Sequence, residues 1–162
     1  MKIINKILLI LPLFVILTLL SKTLLADYAS AQNEIYYQKT NPGSPFYSLK
    51  RASEKTLVFF YSKYSKDKEN AFTLKLLDRR IAEYIYIADK NDLTNFEKTA
   101  IRYNTTVGSL IDNKVKLGNR EKEILRTDIA YLGKIRDKYE YASAYWLLTQ
   151  QAIEISNQLI SI

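Results

Sequence analysis

The sequence has neither histidine nor cysteine, so the side chains that could move a proton or hold a charge are carboxylates, tyrosines, lysines and arginines. This removes the Ser-His-Asp relay, thiolate nucleophiles, zinc–cysteine sites, H-E-x-x-H zincins and the Glu-x-x-His di-iron sites of helical bundles. It also removes disulfides, leaving packing alone to hold the body together in an oxidising compartment. Asp78, Glu83, Asp112, Glu121, Glu123, Asp128, Glu140 and Glu154 are the carboxylates that could pair for acid/base work. No spacing selects two of them, and most fall beside lysine or arginine on polar helix faces. The expectation is solvated charge, with no catalytic residue, no cofactor and no metal site. Gly43, Gly108, Gly118 and Gly133 are scattered, and none follows a strand as a phosphate-binding loop requires.

Two charge pairs have helical spacing. Lys50 and Glu54 are four apart, and Arg80 and Glu83 three apart, so each pair can share one helix face. Joined across two helices, Glu54 with Arg80 and Lys50 with Glu83, they would form a network that sets the register of the first helical hairpin. The alternative is four solvated charges, each pair worth under about 1 kcal/mol. Among the thirteen tyrosines, Tyr139 shares a heptad face with Trp146, which suits a core. Tyr141 and Tyr145 lie four apart on another face and are the candidates for an exposed binding strip.

The elements that must carry these groups read as helices. Residues 44–162 form the helical domain, behind an extended tether at 32–43 that is broken by Pro42-Gly43. Ser44 suits an N-cap and Pro45 the first helical position. This first helix runs to about Lys63, with Phe46, Leu49, Ala52, Ser53, Thr56, Leu57 and Phe60 spaced as one buried stripe. A second helix ends near Ala88, with Leu74, Leu77, Ile81, Ile85 and Ala88 inward and Lys75, Asp78 and Arg79 outward. A third opens on the capping box Thr94-Asn95-Phe96-Glu97, and Leu93, Phe96, Ala100, Tyr103, Val107 and Leu110 step along one face. From Arg120 onward, Leu132, Ile135, Tyr139, Ala142, Trp146, Thr149, Ile153 and Ile160 keep near-heptad spacing, which predicts one long final helix, with a bend near Gly133 among its options. The expected fold is all-α, an antiparallel bundle of about four helices with a long C-terminal helix.

Residues 1–31 carry a different signal. Lys2 and Lys6 precede an apolar run from Ile7 to Leu20, and Ala29-Ser30-Ala31 stand before Gln32. This is the pattern of an export signal cleaved after Ala31, with Ala29 and Ala31 as the small residues the peptidase reads. The second reading is an uncleaved membrane anchor, because the apolar character resumes at Leu24 and Leu25 and a bilayer needs about 20 residues. Tyr36 and Tyr37 would then suit the lipid headgroups. Both readings place the body outside the cytoplasm: periplasmic, cell-surface or secreted, and either released or anchored in the cytoplasmic membrane. Three of the 24 basic and one of the 17 acidic residues fall in the first 31, leaving residues 32–162 mildly basic. The bases alternate with acids instead of forming a stripe, which suits anionic lipids or wall polymers and not nucleic acid.

Asn41-Pro42-Gly43-Ser44-Pro45-Phe46-Tyr47-Ser48-Leu49-Lys50 with Glu54, followed by Arg80-Ile81-Ala82-Glu83, resembles an uncharacterised bacterial extracytoplasmic helical domain family, one of the domains of unknown function. In that family a Ser-Pro-x-Tyr-x-Leu-Lys turn opens a helix and Arg-x-Ala-Glu marks a second, and the likeness covers residues 40–112. The resemblance implies a fold behind a signal peptide or membrane helix and carries no catalytic residues. The function expected is a non-enzymatic interaction or scaffold module of the cell envelope, with an envelope protein or wall polymer as partner and possible membrane association through residues 7–25. The alternatives are a membrane-anchored accessory or sensor subunit and an envelope enzyme using carboxylates.

Overall fold

The computed structural model describes residues 40–162; the cleavage motif Ala29, Ala31 and Gln32, the apolar run 7–25 and Tyr36-Tyr37 lie outside the described residues. Within 40–162 the chain is all-helical: α1 (Tyr47–Tyr64), α2 (Lys66–Asp89), α3 (Leu93–Asp112), α4 (Asn119–Arg136) and α5 (Ala144–Ser161). None of these helices is long and apolar enough to cross a membrane. Helix α2 packs on α3 and α4, and both of these pack on α5, so α2, α3, α5 and α4 close a ring around one core. Helix α1 is added outside that ring and packs chiefly on α2.

The ring core follows from the spacing of apolar residues on α3. Phe96, Ala100, Tyr103, Val107 and Leu110 are all buried, as are Leu77, Ile81, Tyr84 and Ile87 of α2 and Leu125, Leu132 and Ile135 of α4. The buried phenols keep their hydrogen bonds. Tyr84 Oη lies 3.0 Å from Thr149 Oγ1, and Tyr103 Oη lies 2.8 Å from Ser156 Oγ, both hydroxyls being on α5. A buried hydroxyl without a partner would be destabilising by about 1–3 kcal/mol. These pairs explain why Thr149 and Ser156 are wholly buried on a helix that otherwise buries Ala152 and Leu159.

Three local expectations are corrected. The long C-terminal helix is two helices. The chain leaves α4 at Arg136, turns through residues 137–143 with Ala142 in the left-handed region at φ 59°, and re-enters a helix capped by Ser143, whose side chain accepts from Trp146 N. Packing of α4 on α5 requires this reversal, and Gly133 lies uninterrupted within α4. Helix α3 is capped by Asp92, not by Thr94. A turn with Asn91 at φ 52° starts the helix two residues early and brings Asp92 Oδ1 to 3.2 Å from Asn95 N. Helix α1 opens at Tyr47 rather than at Pro45, because Ser44 N bonds Asn41 O and Tyr47 N bonds Ser44 O in two successive turns. Gly43, at φ 91°, takes the position in the first turn that other residues rarely adopt.

The capping correction gives a direct expectation. Asp92→Ala should lower the unfolding free energy by about 0.5–2 kcal/mol, whereas Thr94→Ala should leave it within about 0.5 kcal/mol. Equilibrium denaturation of the two variants checks this, and equal losses would contradict the assignment of the cap.

Candidate functional site

The two residues of α1 that are buried, Tyr47 and Glu54, are polar, with Leu57, Val58 and Tyr61 half-buried beyond them. Tyr47, Lys50 or Arg51, Glu54 and Tyr61 recur at helical spacing, and Glu54 is as deeply buried as any core leucine. Opposite them on α2 lie Arg80 and Glu83, three apart and both buried, flanked by Arg79. The structure thus brings Lys50, Glu54, Arg80 and Glu83 into one cluster between the two helices. Arg80 lies at its centre. Its Nη1 donates to both Glu83 oxygens at 2.8 Å, and its Nη2 donates to Glu54 Oε2. Glu83 Oε1 also accepts from Lys50 Nζ at 3.1 Å, and Glu83 Oε2 accepts from Tyr47 Oη at 2.8 Å. Glu54 accepts in addition from Arg51 Nη1 at 2.6 Å and stands 3.4 Å from Arg79 Nη1. Lys50 Nζ further donates to Thr40 O at 3.0 Å, which ties the start of the described chain to the same cluster. Arg102 of α3 closes the edge, its guanidinium 5.2 Å from the centre of the Tyr47 ring.

The electrostatics follow from burial and neighbours. Desolvation pushes the Glu54 carboxyl up, but Arg80, Lys50 and Arg51 outweigh it and hold the group below its ordinary value. Burial pushes the Lys50 amine down against the opposing pull of Glu83 and Glu54. Burial, reinforced by the Glu83 carboxylate, pushes the Tyr47 phenol up, so it stays a protonated donor. Both carboxylates have their lone pairs filled by guanidinium, ammonium or phenol donors, and neither reaches solvent. A group so saturated has no free position for a substrate proton. The cluster is therefore a clamp that fixes α1 on α2.

The other candidates are separate. Asp112, Glu121, Glu123, Glu140 and Glu154 are exposed, and Asp128 is buried in α4 far along the chain from the clamp. Asp78 stands near Glu121, and loss of hydration together with the Glu121 charge, against the pull of Arg79, pushes its carboxyl up to about 6. Among the described residues no group of three or more acidic, histidine or cysteine side chains is placed to hold a metal ion. Tyr141 and Tyr145 do not share a helix face, because the break before α5 puts Tyr141 in the turn. Tyr141 is 79% exposed and its ring lies 4.8 Å from that of Trp146. Tyr145 turns inward, 5.2 Å from Phe96 and 5.3 Å from Tyr139. The strip therefore does not exist as one surface. A groove of about 640 Å³ does run beside it, lined by Trp146, Leu147, Gln150 and Glu154.

The clamp has a consequence that the spacing of α1 conceals. With Tyr47, Glu54 and Tyr61 turned inward, most of the stripe expected in the core faces outward: Phe46, Leu49, Ala52, Thr56 and Phe60 are exposed, while Ser53 and Leu57 stay half-buried. Leu49 is 52%, Phe59 59% and Phe60 47% exposed. The physical reason is that the charges fit no solvated position once α2 offers Arg80 and Glu83 as partners, and a helix can bury only one side against a single neighbour. The missed signal was the repeat Tyr47, Lys50, Glu54, which has the same 3-4 spacing as an apolar stripe.

An all-helical domain with a buried ionic clamp and an outward apolar helix face is thus the class that fold and site define. Comparison with protein-family models, with curated proteins and with solved structures finds no match for the chain.

Proposed function

We propose that this chain is a non-enzymatic interaction or scaffold module of the bacterial cell envelope, working through the outward face of α1. The observation that carries the reading is the inversion of α1. A helix with Leu49, Phe59 and Phe60 exposed is held rigidly by six charged side chains, so its apolar face is presented rather than left over. Each of these side chains has about half of its surface left to bury against a partner, worth about 0.8–1.5 kcal/mol. The export reading of residues 1–31, the antiparallel bundle arrangement and the likeness of residues 40–112 to an extracytoplasmic family belong to the same proposal and support an envelope setting. The alternative of a membrane-anchored accessory subunit differs only in whether the apolar run is retained.

Expression of the full chain in a bacterium, followed by determination of the N-terminus in each cell fraction, tests the setting. A start at Gln32 in exported material supports a released module, and an intact Met1 that resists carbonate washing supports a tethered subunit. An intact chain in the cytosol would overturn the envelope proposal.

A further inference from the structure

We infer that the outward face of α1 docks on an anionic lipid surface, lying along the bilayer interface with Leu49, Phe59 and Phe60 among the headgroups and upper acyl chains. This rests on the reading of α1 as an interaction face and names its partner. The first observation is geometric. Leu49, Ala52, Thr56, Phe59, Phe60 and Lys63 succeed one another at helical spacing on the side of α1 opposite Tyr47 and Glu54, and Tyr64 extends the face at its end. Over 18 residues the helix is about 27 Å long, enough to lie in an interface and too short in apolar length to span one.

Charge selects the partner. The only acid on α1 is Glu54, and it is sealed in the clamp, so the exposed charges of the helix, Lys55 and Lys63, are all positive. Lys63 Nζ lies 5.5 Å from the centre of the Phe59 ring, with the cation beside the apolar face as in a side chain that buries its stem and lifts its ammonium toward headgroup phosphates. At the start of α2 the charges balance, with exposed Asp67 between Lys66 and Lys68 and Lys66 Nζ 3.0 Å from Glu69 Oε2, so the positive charge beside the face is that of Lys55 and Lys63. A second copy of the chain is a poor occupant, because a helix face bordered only by lysines would set like charges against each other. An anionic bilayer offers both an apolar layer and the opposite charge, with about 1 kcal/mol per lysine near the surface. Chain length agrees. About 15 residues separate Leu25 from Thr40, and extended they reach about 50 Å at most, so an anchor formed by the apolar run would keep α1 within reach of the bilayer.

Depth measurement on the full chain tests this, since a readout at α1 is independent of whether the apolar run itself binds lipid. The sequence has no cysteine, so an environment-sensitive fluorophore can be placed uniquely through Thr56→Cys, in the centre of the face, or through Thr127→Cys, on exposed α4, as control. In vesicles containing phosphatidylglycerol and headgroup-level nitroxide lipids, the Thr56 label should shift to the blue and be quenched several-fold more than the Thr127 label. The double variant Lys55→Glu, Lys63→Glu should lose most of that quenching. Equal quenching of the Thr56 label in neutral phosphatidylcholine vesicles would overturn the anionic-lipid proposal. A blue shift that grows with protein concentration and shows no lipid quenching would also overturn it, in favour of a protein partner, and would leave the interaction-face reading standing. A label that stays wet under every condition would overturn both.

Discussion

Replacing Arg80 by methionine is expected to lower the free energy of unfolding by about 3–5 kcal/mol at pH 7. The guanidinium is 1% exposed and sits between two carboxylates that are equally buried, so its removal leaves Glu54 and Glu83 facing each other with only flanking cations. Desolvation has already been incurred by both carboxylates, and the loss is that of an uncompensated buried charge rather than of a surface pair. Arg80→Lys should recover only part of it, because a single ammonium cannot reach Glu83 in bidentate fashion and Glu54 at once. A loss under about 1 kcal/mol would mean that the four charges act as solvated groups. Acid acts on the same clamp. The Glu54 carboxyl titrates below its ordinary value of 4.5 when folded, so its stabilisation is full above pH 4.5 and drains as pH falls through the lowered folded value. Unfolding free energies of the native chain and of Glu54→Gln should therefore differ most near neutrality and converge in acid. A difference that stays constant down to pH 3 would contradict the ionised state of Glu54.

The second large effect separates two phenylalanines. Phe96→Ala should lower the unfolding free energy by about 3–5 kcal/mol, and Phe60→Ala by no more than about 1.5 kcal/mol. Phe96 is 1% exposed at the junction of four rings, with Tyr84, Tyr139 and Tyr145 each 5.2 Å away in edge-to-face geometry. Truncation there opens a cavity against the Tyr84 ring, whose phenol is pinned to Thr149, so that wall of the site has little freedom to collapse. Phe60 keeps 47% of its surface in solvent and its ring meets that of exposed Phe59, so it has much less to give back. Chemical denaturation of the two variants makes the comparison. Similar losses would place Phe60 in the core and remove the outward face of α1.

That contrast also shows what the sequence could disclose. On α3 the 3-4 spacing of Phe96, Ala100, Tyr103, Val107 and Leu110 marks residues that are all buried, because the helix is packed between α2 and α5 and no charged stripe competes for that face; only Leu93, at the first position of the helix, stands exposed. On α1 the same rule selects the wrong side. Two stripes share one periodicity there, and which is buried depends on Arg80 and Glu83, which lie about a helix away in sequence. Lys50, Glu54, Arg80 and Glu83 could be singled out by spacing, whereas the parts of Tyr47, Arg51, Arg79 and Arg102 emerge only when α1, α2 and α3 are in place. The break between α4 and α5 was hidden for another reason: Ala142 takes a left-handed conformation that alanine seldom adopts, so neither glycine nor proline marks the turn. Its loss from view made Tyr141 and Tyr145 look like one strip.

The most direct measurement is thiol modification in lipid-free buffer of four single-cysteine chains, Ala52→Cys and Thr56→Cys on the outer face of α1 and Ala82→Cys and Ala100→Cys in the core. These small substitutions disturb the packing least, and the absence of native cysteine makes each readout unambiguous. Rapid labelling at 52 and 56 with strong protection at 82 and 100 is the result expected if the ionic clamp turns the apolar face of α1 outward. Protection at 52 and 56 equal to that at 100 would show that the apolar stripe is buried and that the account of α1 is wrong.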